Sequence, residues 1–283
     1  MNKKYIYTPN LNSQSSPAKV IKLVEERSNV LEIGCSSGSQ TKILTKTLEC
    51  TVTGIEINPE AASDAARFCD RIITGNIENI DLTEALGDSR YDFIILSDVL
   101  EHLHSPNNTL TKLSTYLNES GSIIASIPNI AHIGLIFELA NGKFDYRQFG
   151  LLDDTHIRFF TKKSIYHLFE SAGYNISLLD RTTCSFENSE FKTIVTDSKD
   201  KEIVKYIESH NPEFDTYQFI VKAELANPQA AEKTNIHLQE EIENLKKEIE
   251  ENKIYTEKLK SNIRWLEQSI LKRTITKLKH IIS

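Results

Sequence analysis

The stretch VLEIGCSSGSQ, residues 30–40, decides the fold of this chain. An apolar run ends in a turn of small residues, and Ser39 and Gln40 then open a helical pattern. A strand that enters a helix through such a turn is typical of open α/β sheets, which bind ligands at the carboxyl ends of their strands. Gly34 and Gly38 suit the turn, because a side chain there would clash with a ligand close to the backbone.

Short apolar runs of the same kind recur along the chain, separated by amphipathic stretches. Continuous apolar runs are typical of strands that helices cover on both faces. We therefore predict an α/β fold: a Rossmann-like, doubly wound, mostly parallel seven-stranded sheet with an antiparallel edge strand. The predicted strands are residues 29–33, 51–57, 71–74, 91–97 and 121–127, followed by 175–179 and 216–223.

A long irregular connection, residues 129–160, precedes a helix that we expect to begin near Thr161. Connections of this length in compact folds often act as lids or substrate platforms. The segment is therefore the predicted acceptor-binding region.

Composition narrows the class of protein. The 283 residues are 39% hydrophobic and 26% charged with a formal charge of −7, as in ordinary soluble proteins, and nucleic-acid binding is not expected. The four cysteines form no C-x-x-C pair, so we expect neither a disulfide framework nor a metal site. No apolar window approaches the ~18 residues of a spanning helix, and the first ten residues lack a signal core. The expected location is cytoplasmic.

The spacing of the turn favours a cationic ligand group. A dinucleotide site requires G-x-G-x-x-G, whereas this chain has Glu32-x-Gly34-x-Ser36-x-Gly38. The carboxylate of Glu32 would attract the ammonium of an amino-acid-bearing cofactor and repel a pyrophosphate. Glu56 ends the second predicted strand, where a carboxylate accepts hydrogen bonds from ribose hydroxyls. The alternative for Glu56 is that it begins the next helix at its positive end.

In combination, these residues resemble the cofactor-binding motifs of class I S-adenosylmethionine-dependent methyltransferases, and the resemblance covers residues 20–223. It implies S-adenosylmethionine as cofactor. It also implies that the string YDFIILSDVLEHL, residues 91–103, is the fourth strand with its following turn. The family usually has Gly where Ser36 stands and Asp where Asn76 stands. The implied cofactor-binding residues are Glu32, Gly34, Gly38, Glu56, Ile57, Asn76, Ile77 and Ser97.

The string GLLDDTHIRFFT, residues 150–161, resembles a block found in methyltransferases of bacterial surface-polysaccharide assembly. This resemblance implies that the acceptor is a hydroxyl or phosphate of a lipopolysaccharide, O-antigen or capsule intermediate. Two alternatives stay open. The chain is a small-molecule O-methyltransferase acting on a quinone-like or other metabolite, or it is a noncatalytic scaffold that works through its C-terminal part.

Candidate catalytic residues follow from the reaction. Methyl transfer is an in-line displacement, so the protein aligns the acceptor and removes a proton if the acceptor is a hydroxyl, whereas a phosphate needs no base. His102, after the fourth strand, and His156, in the long connection, are the predicted bases, with His132 a weaker candidate. The alternative for each is a structural hydrogen bond.

Arg158 is the predicted substrate-binding residue. It lies beside His156 and would bind an acidic or phosphorylated acceptor. The alternative is a structural ion pair with Asp153 or Asp154.

The chain changes character after residue 226, because no Gly follows and Pro228 is the last proline. We predict a methyltransferase domain over residues 1–226 and a helical tail over 227–283. Apolar residues recur in the tail at coiled-coil spacing, which predicts a homo-oligomer; the alternative is a helix folded back on the domain. These positions are Leu238, Ile242, Leu245, Ile249, Leu259, Ile263, Leu266 and Ile270.

The last residues of the tail predict a short basic amphipathic helix, with Lys272, Arg273, Lys277 and Lys279 beside an apolar stripe. Such a helix suits weak peripheral contact with anionic lipid at the inner membrane face, or an acidic partner. A partner glycosyltransferase is a further expectation from the polysaccharide resemblance.

Overall fold

The computed structural model describes residues 9–191 and 198–226, together with Lys246, Ile249, Lys253 and Lys260, which are helical. The chain divides into two compact units, Met1–Ala226 and Asn227–Ser283. The predicted coiled coil and basic terminal helix otherwise lie outside the described residues. In the described part of the chain, no helix is long and apolar enough to cross a membrane.

Strands and helices alternate through the first unit, as the sequence pattern predicts. In chain order they are α1 Ser16–Lys22, β1 Asn29–Ile33, α2 Ser39–Lys46, β2 Thr51–Glu56, α3 Pro59–Ala65, β3 Arg71–Thr74, α4 Leu82–Leu86, β4 Tyr91–Ser97, α5 Pro106–Leu113, β5 Leu117–Pro128, α6 Ile133–Ala140, α7 Lys162–Ser171, β6 Tyr174–Thr183, α8 Ser198–His210 and β7 Thr216–Leu225.

The strands form one seven-stranded sheet in the order β3-β2-β1-β4-β5-β7-β6. The first five strands are parallel, which confirms the predicted doubly wound fold. The last two strands close one end of the sheet as an antiparallel pair, in agreement with the predicted antiparallel edge. β7 pairs antiparallel with both β5 and β6, so it fills the position between them and leaves β6 at the edge.

The order of the strands sets the position of the site. Connections run in opposite directions from β1 and β4, which are neighbours, and a crevice therefore opens at their carboxyl ends. Both faces of these strands are buried: Val30 and Ile95 belong to one core cluster, and Leu31 and Ile94 belong to the other. Helix cover on both faces explains why these strands are continuous apolar runs in the sequence.

The sequence analysis expected the connection 129–160 to be irregular, but part of it is helical. It contains α6, which His132 caps by accepting a hydrogen bond from the backbone N–H of Gly134 at Nδ1, over 3.1 Å. The segment also forms a small core of its own with residues that follow β6. This core contains Ile133, Leu135, Phe137, Leu151, Leu152, Phe186 and Phe191.

Candidate active site

The turn between β1 and α2, residues 34–38, is built from left-handed backbone. Gly34, Ser36 and Gly38 have φ values of 70°, 49° and 81°. A Cβ on Gly34 would lie 2.8 Å from Val99 Cγ2, and one on Gly38 would lie 2.9 Å from Phe68 Cδ2. Both glycines are therefore required by packing as well as by conformation, while Ser36 keeps a side chain in a conformation that L residues rarely adopt.

Glu56 connects this turn to the end of β2. Its Oε2 accepts the backbone N–H of Ser36 and its Oε1 accepts that of Asn58, each over 2.8 Å. Each oxygen has a second lone pair, so the carboxylate can still accept two hydroxyl groups. The role of helix cap belongs to Asn58, whose side chain accepts the N–H groups of Glu60 and Ala61 at the start of α3.

Glu32 is 2% exposed, in β1 just before the turn. Burial raises the pKa of its carboxyl to about 7; a hydrogen bond from Thr41 Oγ1, 2.6 Å long, opposes the shift, and the charge of Glu56 adds to it. A bound cation would favour the ionised form of this carboxyl. Glu32 is thus placed as a buried acceptor for a positive group.

Four other predicted cofactor contacts lie along the same edge of the sheet. Asn76 Oδ1 accepts the N–H of Glu78 over 2.9 Å, so its amide nitrogen is the group with which it can donate to a ligand. Ile57 is 62% exposed beside Glu56, whereas Ile77 is buried in the core. Ser97 Oγ donates to Gln40 Oε1 over 3.4 Å. The roles of these residues toward a cofactor stay predictions.

Asp98, immediately after β4, was not singled out in the sequence. Its Oδ1 accepts hydrogen bonds from Ser126 Oγ and Gln218 Nε2, at 2.8 and 2.7 Å. Asp98 as a residue is exposed, but desolvation by the surrounding protein raises the pKa of its carboxyl to about 6 against the effect of these two bonds. Asp98 therefore joins the carboxyl end of β4 to β5 and β7.

The two predicted bases, His102 and His156, lie together although they are far apart in the chain. His102 bonds to Thr155, the residue before His156, across a separation of 53 residues. The ring centroids of His102 and His156 are 4.9 Å apart. His102 Nδ1 lies 3.0 Å from the carbonyl oxygen of Thr155, and His156 Nδ1 lies 3.2 Å from that of Leu151. A carbonyl only accepts, so Nδ1 carries the proton in both neutral rings and Nε2 carries the lone pair.

Glu101 completes this cluster and was also missed in the sequence. It is 1% exposed in the 3₁₀ turn Leu100–His102, and its Oε1 lies 4.0 Å from His156 Nε2. Its backbone carbonyl accepts the N–H groups of Ile157 and Arg158, both over 2.9 Å, which holds the connection 129–160 against β4. Burial, with a smaller contribution from the charge of Asp98, raises the pKa of the Glu101 carboxyl well above its usual value.

His132 and Arg158 have structural contacts that the sequence left open. Both ring nitrogens of His132 are used, since Nδ1 accepts from Gly134 and Nε2 donates to the carbonyl of Cys184 over 2.8 Å. His132 is therefore a helix cap and not a base. Arg158 is exposed and donates from Nη2 to the carbonyl of His104 over 2.6 Å. Because the guanidinium group is planar, this bond also sets the direction of its other N–H groups.

Comparison with known proteins identifies the domain. The sequence profile of the methyltransferase domain family matches residues 12–179, more than half of the chain. This chain belongs to the methyltransferase domain family. The match includes the turn, Glu56 and the clustered residues Glu101, His102 and His156.

Two curated relatives of the methyltransferase domain carry methyltransferase names. The malonyl-[acyl-carrier protein] O-methyltransferase of Anoxybacillus flavithermus is 30% identical over 122 residues, which are 41% of this chain and 45% of that protein. A probable (S)-tetrahydroprotoberberine N-methyltransferase of Papaver bracteatum is 28% identical over 99 residues, 34% of this chain and 28% of its own. The chain thus spans less than half the length of these relatives.

Solved structures share the fold. An S-adenosylmethionine-dependent methyltransferase from Archaeoglobus fulgidus aligns with a TM-score of 0.50 at 20% identity, over 73% of this chain and 91% of that one. Magnesium protoporphyrin IX methyltransferase from Synechocystis, with bound S-adenosylhomocysteine, aligns with a TM-score of 0.50 at 15% identity, over 75% and 82% of the two chains.

Proposed function

We propose that this domain is an S-adenosylmethionine-dependent methyltransferase that methylates a hydroxyl group. The cofactor is S-adenosylmethionine, which supplies a methyl group on a sulfonium sulfur. The observation that carries the proposal is the Glu56 carboxylate, held by N–H groups of two turns at the point where the strand order reverses. Glu56 would bind the ribose hydroxyls, Glu32 the ammonium, and Ile57 one face of the adenine.

The crevice beside this site favours an acceptor that must lose a proton. His102 and His156 both direct Nδ1–H to a backbone carbonyl, so each has its basic nitrogen on the opposite side of the ring. Histidine is the side chain best suited to proton transfer near neutral pH. We therefore favour a hydroxyl acceptor over a phosphate.

Exposed aromatic side chains of the connection suggest the shape of the acceptor. Phe144 packs edge-to-face against Tyr146 and Phe159, with ring centroids 5.5 and 5.9 Å away. These rings are 37–56% exposed, and Arg158 precedes Phe159 in the chain. Aromatic faces cover the apolar faces of ring-shaped ligands, and a guanidinium binds phosphate. This combination supports a phosphate-bearing sugar, such as a bacterial surface-polysaccharide intermediate.

A second candidate acceptor is a carboxyl group, because one relative is named a malonyl-[acyl-carrier protein] O-methyltransferase. A carboxylate is already deprotonated and needs no base. The paired histidines favour the hydroxyl, and a small-molecule hydroxyl would use them in the same way.

The tail has a separate place in the proposal. We propose that residues 227–283 associate copies of the chain through a coiled coil and hold the enzyme near the inner face of the membrane, beside a glycosyltransferase. The heptad spacing and the basic terminal segment support this arrangement.

The cofactor site is tested by calorimetric titration with S-adenosylhomocysteine. Glu56→Ala should weaken binding by at least about 30-fold, because a charged hydrogen-bond partner contributes about 2 kcal/mol or more. Asp92→Ala is the matched control. Asp92 also accepts a backbone N–H, from Asn29 over 2.8 Å, but it lies at the opposite end of the parallel strands. Equal effects of the two variants, or no binding by the folded wild type, would contradict the proposal.

The acceptor is tested by methyl transfer to a panel made of phosphorylated saccharides, malonyl-[acyl-carrier protein] and phenolic metabolites. We expect a methyl ether on a saccharide hydroxyl, identified by mass spectrometry of the product. Arg158→Lys should raise KM for a phosphorylated acceptor and leave S-adenosylhomocysteine affinity unchanged. Transfer to the carboxyl alone would favour the second candidate.

A further inference from the structure

Three side chains after β4 and in the connection form a cluster that the cofactor site does not use. Glu101, His102 and His156 each offer one ligand atom, and these atoms lie within 4.8 Å of one another. Atoms that share a metal ion at the usual bond lengths of about 2.1 Å lie about 3 to 3.5 Å apart. Side-chain movements of about 1 Å would therefore bring the three ligand atoms to the distances needed to bind one ion.

The orientation of both imidazoles fits metal binding. Metal-bound histidines generally donate their second ring N–H to a carbonyl or carboxylate, which fixes the tautomer. His102 and His156 both do so from Nδ1, to Thr155 and Leu151. In this tautomer each Nε2 carries a lone pair, which is the form of the ring that binds a metal.

Glu101 supplies independent support. Its side chain is 1% exposed, and neither carboxylate oxygen has a hydrogen-bond partner among the residues that the structure describes. Buried polar atoms are nearly always paired, because an unpaired one costs the free energy of its lost hydration. The charges of Asp98 and Asp153 act on the Glu101 carboxyl and increase the local negative charge. A divalent cation would satisfy both the unpaired oxygens and this charge.

We propose that Glu101, His102 and His156 bind a divalent transition-metal ion, with open positions directed to the acceptor side of the crevice. Two imidazoles and one carboxylate suit Zn²⁺, Fe²⁺ or Co²⁺, whereas Mg²⁺ and Ca²⁺ prefer oxygen ligands alone. The sequence analysis expected no metal because it considered cysteine spacing, which this donor set does not involve.

The role of the ion rests on the proposed function. An acceptor hydroxyl bound at an open position loses its proton to solvent, and its oxygen keeps the electron pair and the bond to the ion. The histidines then act as ligands that position the acceptor, not as free bases. Metal binding itself is independent of the identity of the acceptor.

The test is calorimetric titration of the chelator-treated full-length chain with Zn²⁺ and, separately, Mg²⁺. We expect one Zn²⁺ per chain and at least 10-fold weaker Mg²⁺ binding. His156→Ala and Glu101→Gln should each weaken Zn²⁺ by more than the 10- to 100-fold that loss of an outer partner costs. His104→Ala is the matched control, since His104 is an exposed neighbour of the cluster whose backbone, and not its side chain, makes the bonds to Glu78 and Arg158. Co²⁺ should give visible ligand-field absorption that His156→Ala removes.

Two further measurements keep the outcomes distinct. Glu101→Gln should retain its fold, because the amide has the size of the carboxyl and carries no charge, and its melting temperature should no longer rise with Zn²⁺. S-Adenosylhomocysteine titration of the same samples separates the two proposals: cofactor binding without site-specific Zn²⁺ binding overturns the metal site alone. Zn²⁺ affinity that the His156 and Glu101 variants leave unchanged, or Mg²⁺ binding as tight as Zn²⁺, would overturn it as well.

Discussion

Glu32 makes the stability of the cofactor-free protein depend on pH. Its folded pKa of about 7 lies above the ordinary 4.5, so the folded state holds a proton that the unfolded state releases. The stabilisation is complete below pH 4.5 and is lost as the pH rises to about 7. Between pH 5 and 8, the wild type should lose about 2 kcal/mol relative to Glu32→Gln. Urea unfolding at the two pH values measures this difference, and parallel losses in both proteins would contradict it.

Gly38 should be the less replaceable of two glycines with similar backbone. Gly38 and Gly142 both have positive φ, but a Cβ on Gly142 meets nothing within 4 Å, whereas one on Gly38 meets Phe68 and the Ala65 backbone. Gly142→Ala should cost about 1 kcal/mol for conformation alone, and Gly38→Ala about 1 to 3 kcal/mol more for overpacking. Thermal unfolding compares them, and equal costs would show that the turn relaxes around the added methyl.

Residues of the site could be predicted from the sequence where they belong to a local motif. Glu32, Gly34 and Glu56 lie at or next to the carboxyl ends of strands in a spacing tied to the backbone, and the structure places them at one sheet edge. Glu101 gave no such signal, because its importance comes from burial without partners and from His156, which lies far along the chain. The string of acids Asp98 and Glu101 directly after β4 was the available clue.

At the scale of elements, the connection 129–160 is held in place by a buried ion pair. Arg147 Nη2 donates to Glu138 Oε1 of α6 over 2.7 Å, and Arg147 Nη1 donates to the carbonyl of Glu190. Arg147→Met should cost about 3 kcal/mol, because it leaves the 4% exposed Glu138 as an unpaired charge. The double variant Arg147→Met/Glu138→Leu should recover most of that loss.

Urea unfolding of both variants, with hydrogen exchange across α6, measures this effect and shows whether the segment opens locally. If the double variant is as unstable as the single one, the loss comes from two other contacts of Arg147. These are its bond to the Glu190 carbonyl and its stacking on Phe191, where the guanidinium lies 4.8 Å from the ring centroid. That result would contradict the charge argument.

Strand elements were predictable from their apolar runs. The predicted bounds of β1 and β4, which are largely buried, match the observed ones, and those of β3 also match although this strand is only partly buried. β5 begins earlier than predicted, because Leu117 already pairs with Tyr91. The polar residues 118–120 follow it at a bulge, where the register of the pairing shifts. The position of β7 inside the sheet depends on which neighbour each edge strand finds, and alternation of side chains carries no information about that choice.

At the scale of the whole molecule, the crevice explains why one fold end carries all of the predicted chemistry. Parallel strands bring their carboxyl ends to one edge, so the turn after β1, Glu56 at the end of β2 and Asp98 after β4 lie along the same edge of the sheet without any sequence proximity. Asn129 follows β5 and bonds to the carbonyls of Glu213 and Thr216, which ties the acceptor-side connection to β7. Cofactor and acceptor regions therefore rest on the same rigid sheet.

Association of several copies of the chain through the tail is a further prediction at this scale. The tail places Leu245 and Leu266 at positions of the apolar repeat, whereas Lys246 falls outside it. Leu245→Asp/Leu266→Asp should convert an oligomer to a monomer, because charges at the seam lose their hydration on association. Lys246→Asp is the control and should keep the assembly.

Sedimentation velocity of the three proteins gives their masses, and S-adenosylhomocysteine titration gives the affinity of each. We expect the seam variant alone to sediment as a monomer, with unchanged affinity, because the cofactor residues all lie within Met1–Ala226. A monomeric wild type would favour the single-helix alternative for the tail. An oligomer that survives both seam substitutions would move the association surface to the methyltransferase domain itself.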